Sequence, residues 1–374
     1  MSDRSTLTDW HALSPDLQER ILLLLPVSAA VKVAAVCKSW RAIIGSPSFS
    51  LRMSNMPSGK TPWLLFWGIN ELIHTRSAAF AYDPLAGRWF QLAMVRPPIF
   101  NRASLGGANG AFFAFSGSKV CFTQVPTKLR WKETPPAMYS RCFSLLNIIG
   151  SPNSHSFKFV VFGGIIDEGQ RFLEIYDSSS DTWECHDDSL PEDLFLDGIS
   201  SHCMSSAILG HNFYVANYDG SIAVFSLSTK LWSRLQRLQI TGLVNLSIVA
   251  GDSELFALCI CRGKKGECLR LYEVNDISMD CTFVNEMPRE FFSLFQDTDD
   301  QKEASLRCLG AGGIVYVYSE QYYKGYPVCA CDLRGGKYVW RQLPPLPSPP
   351  RFDRVVCCST AIVPGDCFEI SCSG

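Results

Sequence analysis

Residues 157–164 read FKFVVFGG, and residues 171–185 read RFLEIYDSSSDTWEC after a short loop. Both stretches are runs of apolar and β-branched residues closed by glycine, aspartate or serine, which is the pattern of strands joined by turns. With the residues just before them, they predict four consecutive strands at 142–150, 157–164, 171–177 and 182–185. This part of the chain therefore indicates one antiparallel four-stranded sheet.

The features of this sheet return along most of the chain at intervals of about 50 residues. The Gly-Gly pair, the Tyr-Asp that ends the third strand and the Trp that opens the fourth resemble the kelch motif, which builds blades of β-propellers. Five tryptophans and one phenylalanine mark the period: Trp89, Trp131, Trp183, Trp232, Phe283 and Trp340. We therefore predict a kelch-type β-propeller of six blades, with each aromatic marker packed between neighbouring blades.

The first blade lacks one strand in the sequence order. Residues 63–68 have the character of a second strand, and no inner strand precedes them. Residues 354–363 (RVVCCSTAIV) follow the last blade and are apolar enough to form a strand. We expect this C-terminal strand to complete the first blade and close the ring.

The N-terminal residues have a different pattern, which predicts three short helices between residues 14 and 44. Ser14, Pro15 and Asp16 supply a helix cap, a proline for the first turn and an acidic charge there. Pro26 ends the first helix, and residues 27–36 and 37–44 form the second and third. We expect the helical module to occupy residues 1–50, a linker 51–61 and the propeller 62–374.

The helical module has an apolar surface that it cannot cover by itself. Residues 21–25 (ILLLL) are apolar on nearly all sides of the first helix. A module of about 40 residues rarely buries enough surface to be stable alone. Either an outside partner covers this surface, or the helices pack on the propeller as a cap; the physical argument alone favours neither.

Residues 13–49 resemble an F-box, and the stretch 36–41 (VCKSWR) is typical of plant members. The order and spacing of the motif are intact, except that Ser14 stands between the Leu and the Pro that are usually adjacent. In that family the helices bind a Skp-type adaptor, which links them to a cullin. The resemblance implies that the following residues form or support the adaptor-binding surface: Leu13, Pro15, Leu17, Ile21, Leu22, Leu25, Pro26, Val36, Cys37, Trp40 and Ile44.

The whole chain resembles plant F-box/kelch-repeat proteins, which implies a substrate-recognition subunit of a ubiquitin ligase. Its propeller would bind the target protein, and the loops between second and third strands are the expected contact sites. The candidate target-binding residues are basic or aromatic side chains on these loops: His74, Arg76, Arg262, Lys264, Lys265, Tyr322, Tyr323 and Tyr326. Two other functions remain open: an F-box protein that acts outside a ligase, and a propeller enzyme with a helical cap.

Composition excludes several other classes of function. Among 374 residues, 47% are hydrophobic and the net charge is −2, so neither nucleic acid nor an anionic membrane is an expected partner. Many of the 16 cysteines lie in apolar runs, which favours reduced thiols in the cytosol or nucleus. The pairs Cys259/Cys261 and Cys329/Cys331 lack the accompanying ligands of a zinc site. We expect no cofactor, no metal and no catalysis by this chain.

Overall fold

The computed structural model describes a helical module followed by six β-sheets. The described residues are 10–56, 60–69, 78–92, 104–108, 110–123, 131–142, 144–150, 156–164, 173–186, 204–233, 235–264, 266–296, 306–319, 327–347 and 353–359.

The helical module begins with a 3₁₀ turn, Trp10–Ala12, followed by the three predicted helices and a fourth. The helices are α1 (Pro15–Leu23), α2 (Val27–Val33), α3 (Lys38–Ile44) and α4 (Pro47–Asn55). As predicted, the Ser14 hydroxyl caps α1, because it accepts a hydrogen bond from the backbone N–H of Leu17 at 3.3 Å.

Helix α4 is the main departure from the sequence-based expectation for this module. The last predicted helix ends at residue 44, but the Ser46 hydroxyl accepts the backbone N–H of Phe49 at 3.2 Å and Pro47 takes the first position of a further helix. A serine followed by a proline is a helix start as well as a break. Helix α4 therefore extends to Asn55, into the segment expected to be a linker.

The six sheets are the blades of a propeller, each built from consecutive antiparallel strands except for the first. Blade 1 contains β1 (Trp63–Ile69), β2 (Ala78–Asp83), β3 (Arg88–Leu92) and β25 (Asp353–Ser359). Blade 2 contains β4 (Ser104–Ala108), β5 (Ala111–Ser116), β6 (Lys119–Thr123) and β7 (Lys132–Glu133). Blade 3 contains β8 (Leu145–Gly150), β9 (Phe157–Phe162), β10 (Leu173–Asp177) and β11 (Thr182–His186).

Blades 4 to 6 follow the same order, with one additional strand in blade 4. Blade 4 contains β12 (Met204–Leu209), β13 (Asn212–Asn217), β14 (Ser221–Ser226), β15 (Leu231–Trp232) and β16 (Gln236–Arg237). Blade 5 contains β17 (Leu243–Ala250), β18 (Leu255–Gly263), β19 (Gly266–Val274) and β20 (Cys281–Glu286), followed by helix α5 (Arg289–Phe292). Blade 6 contains β21 (Leu306–Ala311), β22 (Ile314–Ser319), β23 (Val328–Asp332) and β24 (Val339–Gln342).

The ring closes through the predicted C-terminal strand. Strand β25 pairs with β1 from Trp63↔Ser359 to Ile69↔Asp353. The inner strands contact one another in the order β25, β4, β8, β12, β17, β21 and back to β25. Two hydrogen bonds also cross the junction of blades 6 and 1: Tyr316 Oη donates to Pro62 O and Trp89 Nε1 to Pro344 O, both at 2.7 Å.

The repeated tryptophans join neighbouring blades, as predicted. Trp183 of blade 3 donates its indole N–H to Pro135 O, after blade 2, at 2.8 Å, and Trp340 of blade 6 donates to Asn285 Oδ1 of blade 5 at 3.2 Å. Phe283 departs from the expectation. It lies on the outer strand of blade 5, where the period placed it, but the residue is 54% exposed, so it is not buried between blades.

The helical module and the propeller share one apolar core. The cluster includes Ile44, Phe49 and Met53 from the helices, and Trp63 and Phe90 from blade 1, all nearly or fully buried. A module too small to bury its own core gains the missing surface in this way. The helices thus have one face against the propeller and another directed away from it.

Candidate functional site

The outward face of α1 carries an apolar stripe. Leu17, Ile21 and Leu24, the last at the C-cap of α1, lie four and three residues apart, which places them on one side of the helix, and they are 43%, 38% and 74% exposed. We call these three residues the α1 stripe. Monomeric proteins seldom leave such a row of large aliphatic side chains in water, and when they do it commonly marks a binding surface.

The opposite side of α1 fixes the orientation of this stripe. Leu22 and Leu23 are buried in the shared core, and Gln18 is buried beside them. The Gln18 side-chain amide donates to Trp10 O at 3.0 Å and to Leu13 O at 3.1 Å, which ties the 3₁₀ turn to the helix. Because these contacts hold one side of the helix inward, the α1 stripe remains outward.

The VCKSWR stretch forms the junction between α2 and α3. Val36 is 68% exposed in the turn that follows α2. The Cys37 thiol caps α3 by accepting the backbone N–H of Trp40 at 3.4 Å. The Trp40 ring lies against that of Trp10, with centroids 4.8 Å apart, and both rings are half-buried. The characteristic residues of the motif therefore shape this turn and expose Val36.

The eleven predicted adaptor-binding residues divide into three groups by exposure. Those that are open to solvent are Pro15, Leu17, Ile21 and Val36; those that are half-buried are Leu13, Leu25, Pro26, Cys37 and Trp40; those that are buried are Leu22 and Ile44. The buried two lie in the shared core, so they can support the surface but not form it. The open residues are the ones available to a partner.

Two further exposed side chains were not among the predicted residues. Leu24 is the most exposed member of the α1 stripe, and Leu51 on α4 is 68% exposed. The apolar run at 21–25 signals Leu24, since such a run cannot all face inward. Leu51 has no such signal, because the sequence did not predict α4.

The predicted target-binding residues fall mostly outside the described part of the chain. Arg262 and Lys264 are described: both are exposed, at the hairpin that joins β18 and β19. The Arg262 guanidinium donates to Glu267 Oε1 at 2.8 Å across this hairpin. The six others lie outside the described residues: His74, Arg76, Lys265, Tyr322, Tyr323 and Tyr326.

The side chains of the two cysteine pairs are fully buried. Burial raises the pKa of both Cys329 and Cys331 to about 12, and it also raises the pKa of Cys259 and Cys261. These thiols therefore stay protonated at neutral pH, which makes them poor nucleophiles. In the described part of the chain, no group of three or more histidine, cysteine or acidic side chains could hold a metal ion.

Within the described ranges of the chain, no helix is both long enough and apolar enough to cross a bilayer.

Comparison with protein families matches residues 10–52 to the F-box domain. The chain is similar to "F-box only protein 6" of Arabidopsis thaliana, with 23% identity over 83% of this chain and 64% of that protein. It is also similar to an F-box/kelch-repeat protein of the same plant, with 32% identity over 29% of this chain and 24% of that protein. A third relative is "F-box only protein 13" of Arabidopsis thaliana, with 34% identity over 21% of this chain and 16% of that protein.

These matches support the two-part organisation. The chain carries an F-box domain followed by a six-bladed β-propeller, and it resembles plant F-box/kelch-repeat proteins. The matched region spans less than two thirds of the length of each of these three relatives.

Proposed function

We propose that this chain is the substrate-recognition subunit of a Skp–cullin–F-box ubiquitin ligase. The F-box binds the Skp-type adaptor, and through it a cullin, while the propeller binds a target protein. The observation that carries this proposal is the α1 stripe: an F-box domain whose first helix presents Leu17, Ile21 and Leu24 to solvent.

The energetics of the stripe support a protein partner. Complete burial of one exposed leucine or isoleucine side chain is worth roughly 1.5–3 kcal/mol. Three partly exposed side chains on α1, with Val36 and Leu51 on the same module, therefore offer several kcal/mol to a partner that covers them. An amphipathic helix that lays its apolar face in a groove is a common form of such a complex.

The proposed role of the chain is to bring proteins together, without catalysis of its own. A target bound to the propeller has its lysines held near a conjugating enzyme that another subunit recruits, so their effective concentration rises. We place this activity in the cytosol or nucleus, where thiols stay reduced. In support, the twelve cysteines that the structure describes fully are all free.

Adaptor binding tests the proposal. We expect the purified full chain to retain the Skp adaptor in a pulldown, and the Leu17→Asp, Leu24→Asp double variant to bind it at least about 100-fold more weakly. Two leucine side chains that become buried when the adaptor binds account for a loss of that size. Leu25 and Trp40 are poorer positions for this test because they pack against the shared core.

A matched control uses the same kind of substitution on the propeller. Ile277 is 85% exposed in the turn after β19, and Ile277→Asp should leave adaptor binding unchanged. If the native chain is folded and does not bind the adaptor, the proposal fails and a propeller enzyme with a helical cap becomes the better hypothesis. If the adaptor binds but no protein is turned over in cells that depend on this chain, a role outside a ligase is the correct one.

A further inference from the structure

A cavity of about 480 Å³ lies at the junction of blades 4 and 5. It is lined by Tyr218 and Asp219 from the turn between β13 and β14, and by residues 237–240 and 242–244, from the end of β16 to the start of β17. We call it the blade 4–5 pocket. In an antiparallel propeller these two kinds of loop emerge on the same face, and the volume lies within the range of about 300–1,000 Å³ common for ligand sites.

Regular hydrogen bonding holds the walls of this pocket in place. Strand β16 pairs with β14, with Arg237 opposite Ser221, and the backbone N–H of Leu238 donates to Gly220 O at 2.9 Å. Gly220 has a φ of 94°, and a Cβ there would come within 3.0 Å of the Leu243 side chain. The extra strand of blade 4 thus shapes a pocket that exists before any ligand binds.

The basic hairpin of blade 5 adjoins the pocket. The backbone N–H of Arg262 donates to Gly242 O at 2.7 Å, which brings the β18–β19 hairpin beside the blade connection. The described residues of this hairpin carry two positive charges, on Arg262 and Lys264, and one negative charge, on Glu267. Arg262, one of the predicted target-binding residues, therefore has its backbone next to the lining of this pocket.

The exposed lining is mainly polar, with a smaller apolar part and a cationic edge. Tyr218 is exposed, while Ile240, Leu243 and Val244 are half-buried, so part of each can contact a ligand. The Arg237 side chain is 65% exposed, and its guanidinium lies 3.9 Å from the Asp219 carboxylate, a weak contact that leaves it able to bind a second anion.

We propose that the blade 4–5 pocket binds a short segment of the target protein in which an acidic side chain stands next to an apolar one. This inference rests on the proposed function, in which the propeller holds a target. Arg237 binds the carboxylate, with the basic hairpin favouring the approach of an acidic segment. Tyr218 and the aliphatic lining bind the apolar neighbour, since tyrosine and arginine are the usual anchors of protein interfaces.

Selection from a library of random displayed dodecapeptides on the immobilised full chain tests this inference. The enriched peptides should share an aspartate or glutamate beside an apolar residue. Arg237→Glu should weaken the best peptide at least about tenfold, because one charge-assisted hydrogen bond supplies that factor. Replacing the acidic residue of the peptide by its amide should cause a similar loss.

The control is Lys337→Glu, which makes the same change of charge on the opposite face. Lys337 is exposed, in the turn between the third and fourth strands of blade 6, and its variant should bind the peptide as the native chain does. Both variants should keep the native unfolding temperature. Both should also retain the Skp adaptor, because the F-box is unchanged, so a failed peptide selection and a failed adaptor test remain separate results.

Three outcomes would overturn the inference. One is a selection in which no peptide is enriched on the native chain relative to the Arg237→Glu variant. Another is a set of enriched peptides without a shared acidic residue. The third is an acidic peptide that binds the native and Arg237→Glu chains equally, which would place its site elsewhere on the propeller.

Discussion

Arg141 and Glu174 form a fully buried ion pair between the edge of blade 2 and the third strand of blade 3. The guanidinium donates from Nε and Nη2 to Glu174 Oε2, at 3.0 and 2.7 Å, and from Nη1 to Gly163 O at 2.7 Å. The other carboxylate oxygen accepts the backbone N–H of Met138 at 2.7 Å. Every polar atom of the carboxylate and most of the guanidinium therefore have partners, although neither side chain is exposed.

Glu174→Ala should lower the free energy of unfolding by about 3–5 kcal/mol, because it leaves a buried guanidinium without its counterion. The double variant Arg141→Met, Glu174→Leu should recover most of this loss, since it removes both charges and keeps similar volume. Thermal and urea unfolding of the full chain measure both effects. A double variant no more stable than Glu174→Ala would show that the pair is needed for more than charge balance.

Asp177 ends the third strand of blade 3 and orders the turn that follows. Its Oδ1 accepts the backbone N–H of Ser179 at 2.9 Å, and its Oδ2 lies 2.7 Å from Lys158 Nζ. Asp83, Asn275 and Asp332 accept the equivalent backbone bond in three other blades. The Asp of the Tyr-Asp marker is thus explained by the turn it forms.

Asp177→Ala should cost about 1 kcal/mol of stability, and Asp177→Asn a few tenths, since asparagine keeps the acceptor for Ser179.

The hydrogen bonds from Lys158 and Ser179 lower the pKa of Asp177 to about 2. A lowered pKa means that the ionised form stabilises the fold, so this contribution is present near neutrality and is lost as the pH falls from about 4 towards 2. Thermal unfolding should show that the native chain is more stable than the Asp177→Asn variant at pH 7. This difference in stability should be smaller at pH 3. Equal losses for Ala and Asn at pH 7 would contradict this account of the turn.

At the scale of elements, strand β25 closes the ring by pairing with β1. Truncation after Pro347 should leave β1 as an open edge, expose the apolar side of blade 1 and lower the unfolding temperature by well over 10 °C. Such open edges also promote association between chains. Hydrogen exchange should show loss of protection for the amides of Leu64 to Gly68 first. A truncated chain that stays monomeric with β1 protected would mean that closure depends on other contacts.

The sequence predicted the elements well where local chemistry decides them. In blade 3, the short apolar runs, the Asp after the third strand and the Trp of the fourth strand were enough to predict the order of the strands. The apolar run near the C-terminus was enough to predict the closing strand. The exceptions have physical causes. The Ser46-Pro47 pair fits both the end and the start of a helix, so α4 was missed. Strand β16 was missed because it forms only by pairing with β14, which no local pattern signals.

The candidate site could be predicted only in part. The motif identified the module, and the α1 stripe follows from its spacing. Which of the motif residues face outward depends on the packing of α1 against α4 and the propeller, and this separates Leu17 from Leu22. The blade 4–5 pocket has no motif at all, because it is formed by two loops and an added strand that meet only in the folded ring.

At the scale of the whole molecule, the F-box and the propeller share one core. Phe49 and Met53 of α4 belong to the same apolar cluster as Trp63, Phe90 and Phe112. A fragment of residues 1–61 should therefore be largely unfolded by circular dichroism in the absence of the adaptor, since so small a module lacks a sufficient core. In the full chain the same helices should be protected from hydrogen exchange. A cooperatively folded isolated fragment would contradict the role of the shared core.

The shared core also has a consequence for the proposed ligase. Because the F-box packs on the propeller, the α1 stripe and the blade 4–5 pocket belong to one compact body, which suits a receptor that must hold its target at a defined distance from the other subunits.

The most direct test of the account is amide hydrogen exchange of the full chain with and without the Skp adaptor. We predict slower exchange in α1 and in residues 36–40, with no change in the loops around the blade 4–5 pocket, which must stay open for a target. Slower exchange centred on the propeller, or no change in the F-box at saturating adaptor, would contradict the assignment of the α1 stripe as the adaptor-binding surface.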